Sequence, residues 1–124
     1  MEAQNRRVLA YIAGRLLSNR TASFLYDYQS GVHYSFGGTI TNNRVNVFDY
    51  STSNYVTGNG SSGKFNLYVF AGGQHISLSV NNNGAGRFKG YDYGHGVHFN
   101  GKVDKQGNVS FYDYGSGQYY NFKI

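Results

Sequence analysis

Residues 91–101 read YDYGHGVHFNG, residues 112–122 read YDYGSGQYYNF, and residues 26–36 read YDYQSGVHYSF. Each stretch is an aromatic–Asp–aromatic run, a small-residue bend and a second run of strand-forming residues. Two more stretches follow the plan with substitutions: Phe48-Asp49-Tyr50 leads to Asn54–Gly58, and Tyr68-Val69-Phe70 leads to Gln74–Leu78. The third residues of the five runs are Tyr28, Tyr50, Phe70, Tyr93 and Tyr114, offset by 22, 20, 23 and 21 residues. A recurrence of that length marks a tandem array of one supersecondary unit.

The unit reads as a β-hairpin. The central pairs Ser30-Gly31, Thr52-Ser53, Gly72-Gly73, His95-Gly96 and Ser116-Gly117 mostly put glycine where a two-residue primed turn needs positive φ. Thr52-Ser53 departs from this pattern. Two-residue loops set Tyr28 opposite His33, Tyr50 opposite Tyr55, Phe70 opposite His75, Tyr93 opposite His98 and Tyr114 opposite Tyr119. The same register sorts the side chains into two faces. Leu25/Phe36, Val47/Gly58, Leu67/Leu78, Gly90/Gly101 and Phe111/Phe122 form a predicted core face. The other face carries rings near the bend, then Ser35, Thr57, Ser77, Asn100 and Asn121.

Looser polar turns such as Asn42-Asn43, Gly60–Gly63, Asn81–Gly86 and Lys105–Gly107 join successive hairpins. About ten short antiparallel strands in chain order make a meander, and a sheet of that length curls, because closure removes its exposed edges. The predicted fold is mainly β: a barrel or strongly curved sheet over residues 22–124, in a single domain of 1–124. An open single-layer array is the alternative. Over residues 88–101 the layout loosely resembles the MORN repeat, another short tandem hairpin marked by Tyr and Gly. Its glycines are displaced here and its tryptophan is missing, so the family is not assigned.

Composition agrees with this reading. The 124 residues hold 18 Gly, 13 Tyr and 9 Phe, no Pro, Cys or Trp, and only 14% charged residues. That balance argues against disorder, collagen and coiled coil. The absence of cysteine excludes disulfides, cysteine nucleophiles and thiolate metal sites.

An amphipathic helix is predicted over residues 3–18, with Val8, Leu9, Ile12 and Leu16 on one stripe and Gln4, Arg7 and Arg15 turned away. Asn19 is a suitable stop, since Asn tolerates the left-handed conformation. Burying the four apolar side chains contributes roughly 1.5–3 kcal/mol each, so the helix is expected on or in the β body. The net charge of +5 is concentrated at this end, where Arg6, Arg7, Arg15 and Arg20 face one acid, Glu2. Arg6, Arg7 and Arg15 are the candidate contacts for an anionic partner.

The longest apolar stretch, Val8 to Leu17, is broken by Gly14 and Arg15, so no bilayer span is expected. No small-residue cleavage site follows it, and the chain reads as unprocessed and cytoplasmic. Asn46, Asn66, Lys89, Asn100 and Asn121 on the outward rows argue against a membrane barrel.

Three groups of residues carry candidate chemistry. Asp27, Asp49, Asp92 and Asp113 share one repeat position, filled by Val69 in the third copy. They read either as caps of their own loops or as an acidic ring able to bind a cation or sugar hydroxyls. His33, His75 and His98 share a position with Tyr55 and Tyr119. That exchange argues for stacking rather than metal ligation. Tyr28, Tyr50, Tyr93 and Tyr114 complete an aromatic band of a kind suited to sugar rings, which offer apolar faces and hydroxyl edges together.

No nucleophile–base arrangement and no cofactor or metal motif is recognised. The expected function is non-enzymatic, multivalent recognition of a glycan-like ligand by Tyr, His and Asp. The alternatives are self-assembly as a homo-oligomer through the band or the helix, and a nucleic-acid or protein antagonist using the basic helix. Nucleic acid is the less favoured partner, because Lys64, Arg87 and Lys89 show no phosphate-tracking stripe in the sequence.

Overall fold

The computed structural model describes every residue except 82, 84 and 85. One helix, α1 (Ala3–Ser18), precedes ten strands: β1 (Phe24–Asp27), β2 (Val32–Ile40), β3 (Arg44–Asp49), β4 (Asn54–Ser61) and β5 (Lys64–Val69), then β6 (Gln74–Asn81), β7 (Gly86–Asp92), β8 (Val97–Val103), β9 (Asn108–Asp113) and β10 (Gln118–Lys123). Each strand pairs antiparallel with the next, and β10 returns to β1 to close a barrel. The closing ladder is short, with Tyr26 opposite Lys123 and Asp27 opposite Phe122.

The hairpins differ from the sequence reading in one respect. Their loops hold four residues, and Tyr26 opposes His33, Phe48 opposes Tyr55, Tyr68 opposes His75, Tyr91 opposes His98 and Tyr112 opposes Tyr119. The expected partners Tyr28, Tyr50, Phe70, Tyr93 and Tyr114 are instead the first loop residues. The physical reason lies in the loop hydrogen bonds. Gly31, Gly96 and Gly117 each donate their N–H at 2.8 Å to the carbonyl four residues back, on Asp27, Asp92 and Asp113.

The expected positive φ is found at the anticipated glycines, Gly31 (69°), Gly73 (63°), Gly96 (66°) and Gly117 (67°), and Ser53, read as a departure, adopts it too (52°). A two-residue primed turn does occur at the other end of the barrel. There Ser61 opposes Lys64, and Ser62 (φ 54°) and Gly63 (φ 78°) make the bend.

Because side chains alternate along a strand, a register moved by two leaves every residue on its predicted face. The inner pairs become Leu25/Tyr34, Val47/Val56, Leu67/Ile76, Gly90/Phe99 and Phe111/Tyr120. Gly90 and Gly101 are thus not paired with each other. The Phe99 ring lies where a Cβ on Gly90 would be, at 2.4 Å, and Phe88 covers Gly101 in the same way at 2.3 Å. Large rings on one strand fill the space that glycines leave on its partner.

The helix lies inside the barrel. Every residue from Val8 to Gly14 is buried, on all sides of the helix, and α1 packs on β1, β2 and β6 to β10. A single apolar stripe was expected; a lumen also requires small residues on the remaining faces, and Ala10, Ala13 and Gly14 supply them. A Cβ on Gly14 would stand 3.1 Å from Ile124 Cδ1 and 3.3 Å from Val109 Cγ2. Tyr11 stacks on Phe36 with ring centroids 4.4 Å apart. Asn19 ends the helix at φ 58°, as anticipated.

Arg6 and Arg7 meet the inner wall of the barrel. The Arg6 guanidinium sits over the Tyr120 ring at 3.9 Å and donates to Asp113 Oδ2 at 3.2 Å. Arg7 lies 4.1 Å over Tyr34. Arg15 donates to Tyr11 Oη and to the Ala22 carbonyl. The outward polar face expected for Arg7 and Arg15 is therefore not formed. Arg6 and Arg7 are taken up by wall residues, and Arg15 by Tyr11 of the helix and Ala22 of the segment before β1.

Candidate functional site

On the outer wall, each hairpin builds the same cluster of three rings. The strand residue before the aspartate is half-buried between the first loop residue and a ring on the facing strand. In the first hairpin Tyr26 meets Tyr28 nearly at right angles (4.9 Å, 85°) and His33 at a tilt (4.7 Å, 55°). The equivalents are Phe48 with Tyr50 and Tyr55, Tyr68 with Phe70 and His75, Tyr91 with Tyr93 and His98, and Tyr112 with Tyr114 and Tyr119. Edge-to-face contacts are the preferred arrangement of aromatic quadrupoles. The inner ring props the outer two. The loop rings remain open to solvent, from 55% exposed at Tyr114 to 65% at Tyr93.

The sequence-selected rings are thus all on one face, at one end of the barrel. Tyr28 and His33 share a side of their hairpin, with Tyr26 between them. His33, His75 and His98 lie on three different hairpins. Among the described residues no three His, Cys, Asp or Glu side chains converge as metal ligands would.

The aspartates stand on the opposite face. Asp27, Asp49, Asp92 and Asp113 point inward and are buried. Each accepts a hydrogen bond from the backbone N–H two residues on: Gln29, Ser51 and Gly94 at 2.9 Å, and Gly115 at 2.8 Å. Asp92 also meets His95 Nδ1 at 2.9 Å. The carboxylates fix the loops that present the rings, and they do not open onto the ring face.

In the third hairpin, where Val69 replaces Asp, the Ala71 N–H is taken at 2.8 Å by Asn54 Oδ1 from the adjacent hairpin. The same loop donor is satisfied from a different strand. Asn54 was not singled out from the sequence, because its partner lies across a pairing that only the register reveals.

Charge is divided between the two faces. The outward strand positions include Arg44, Lys64, Arg87, Lys89, Lys102 and Lys123 and not one of the six acids. Four acids are the inward aspartates and Glu2 precedes the helix. Asp104 sits in the loop after β8, where it accepts from the Gln106 and Asn108 backbone N–H groups and from Asn108 Nδ2. The Asn108 bonds hold its carboxyl below the usual range.

An open groove of about 840 Å³ crosses β5 to β9, lined by Lys64, Arg87, Lys89 and Lys102 with Ser79, Ser110 and Tyr119. It adjoins a second depression of about 500 Å³ bordered by Tyr91, His98 and Tyr114. Ser79, Lys89 and Asn100 belong to both. The sequence reading missed this concentration, since Lys64 and Lys102 are far apart in the chain.

No helix among the described residues is long and apolar enough to cross a membrane, and Asn46, Asn66, Lys89 and Asn121 are exposed on the outer wall. Comparison with protein-family descriptions, with curated proteins and with solved structures found no match.

Proposed function

We propose that this protein is a non-enzymatic binding module whose outer ring array engages a glycan at several equivalent repeats. The fivefold recurrence of the three-ring cluster, each with its loop ring held open to solvent, carries this reading. Amphipathic rings flanked by hydroxyls and amides suit sugars, whose ring faces are apolar and whose edges are polar. The aspartates support the site from behind by holding the loops.

Glycan-array screening followed by calorimetry tests the proposal. Millimolar or tighter binding that falls when Tyr93 and Tyr114 are both changed to Ala supports it, and the absence of any saccharide ligand removes it.

One observation favours a second reading, self-association through the band. Tyr55 and Phe70 come from adjacent hairpins, meet at 6.2 Å and both remain exposed, a small apolar patch of the kind that pairs subunits. Light scattering at high concentration decides it, since a strict monomer is incompatible with association.

A further inference from the structure

We infer that the groove across β5 to β9 binds an acidic polysaccharide, a chain carrying carboxylate or sulfate groups. This inference rests on the glycan reading above and names the class of glycan.

The sheet register brings the cations together. One row across the outer wall runs Lys64–Ser79–Lys89–Asn100, and the next runs Asn81–Arg87–Lys102–Ser110. Neighbouring strands are about 4.8 Å apart, so Lys102 lies one strand spacing from Arg87 and Lys89, and Lys64 two spacings from them on the other side. Arg87 and Lys102 are direct cross-strand partners. Like charges in that position destabilise a sheet.

Among the described residues no ion pair reaches Lys64, Arg87, Lys89 or Lys102. The ion pairs among the described residues lie near the start of the helix, on Asp92, Asp113 and Glu2. The oxygens of Asp104 are taken by its own loop. A repulsive cluster left without counter-charge, beside a groove of ligand size, is what an anionic ligand would neutralise.

The groove also discriminates between polyanions. Ser79, Asn100 and Ser110 offer hydroxyl and amide partners among the cations, and the rings of Tyr91, His98 and Tyr114 border only the loop end. Single-stranded nucleic acid is held by a cationic groove with bases stacked on rings along it, whereas among the described residues the rings lining the cationic groove are Tyr119 and the buried Phe88.

Calorimetry of the full chain with dextran sulfate, neutral dextran of the same length and an oligothymidylate tests this, at low and at raised salt. Dextran sulfate is expected to bind with strong salt dependence, and the double variant Arg87→Glu/Lys102→Glu to weaken it at least roughly tenfold. Single Arg87→Glu converts a like-charged pair into an opposite pair, so folding is retained while affinity falls. Lys105→Glu, outside the groove, changes the net charge equally and is expected to leave binding nearly intact.

Equal loss with Lys105→Glu reduces the effect to net charge and overturns the site. Equal binding of neutral dextran overturns the acidic class while the glycan reading stands. Tighter binding of the oligothymidylate overturns the polysaccharide assignment. Failure of dextran sulfate together with an empty glycan array overturns both readings; failure with neutral sugars still bound on the array overturns this one alone.

Discussion

Tyr28 donates its backbone N–H to the carbonyl of Asn121 at 3.2 Å, tying the first hairpin to the last. The same bond recurs at every loop: Tyr50 to Ser35, Phe70 to Tyr55, Tyr93 to His75 and Tyr114 to His98, at 3.0 to 3.3 Å. Each loop ring is thus the residue that staples its hairpin to the preceding one. Ring presentation and barrel closure share the same five positions.

The seam should open first. Only two residue pairs join β1 to β10, whereas β7 and β8 share seven. Local stability follows the number of cooperative bonds and the burial behind them. Native-state hydrogen exchange is expected to show β1 and the Tyr28 amide exchanging well before the amides of β7 and β8. Uniform protection around the barrel would contradict this.

Loop caps should be interchangeable in their energetics. Asp113→Ala, which also strips the partner of Arg6, is expected to cost about 1–3 kcal/mol. Asn54→Ala is expected to cost about 1 kcal/mol although it caps a loop of another hairpin. Urea unfolding measures both, and an Asn54 variant as stable as the parent would refute its capping role.

Ser53 holds φ 52° where the four equivalent hairpins have glycine at 63° to 69°. Left-handed backbone costs a non-glycine residue about 1–2 kcal/mol. Ser53→Gly, after the added flexibility of the unfolded chain, should gain roughly 0.5 kcal/mol, and Gly96→Ala should lose about 1 kcal/mol. Opposite signs in thermal unfolding are the expected result.

Gly14 leaves no room for a side chain, because Ile124 and Val109 stand within 3.3 Å of where its Cβ would be. Gly14→Leu is expected to destabilise by about 1–3 kcal/mol through overpacking, while Leu16→Ala, at a half-buried position, should cost less. A stable Gly14→Leu protein would place the helix outside the lumen.

Much of this architecture was legible in the sequence. The recurrence gave ten strands in order, the glycine bends gave four of the five hairpin positive-φ sites, and alternation gave the two faces; Ser53 was the exception. Loop length was not legible, because the wider loop is closed by backbone bonds, such as Gly31 N–H to the Asp27 carbonyl, that the residue types do not specify. The burial of α1 on all sides was also hidden: Ala10, Ala13 and Gly14 look neutral until a wall is known to surround them. The cationic groove was hidden for a topological reason, since Lys64 on β5 and Lys102 on β8 reach one wall only when the two intervening strands are paired. The ring band needed no such knowledge.

The central claim is that ligand is held on the outer wall by the rings and cations of the β5–β9 face. Its most direct test is a two-dimensional NMR titration of the intact protein with a sulfated oligosaccharide. Shifts confined to Tyr91, His98, Tyr114, Lys89, Arg87 and Lys102 and their strand neighbours are the expected outcome. Shifts centred on Arg6, Arg7 and Asp113 at the mouth of the barrel, or none at saturating ligand, would contradict it.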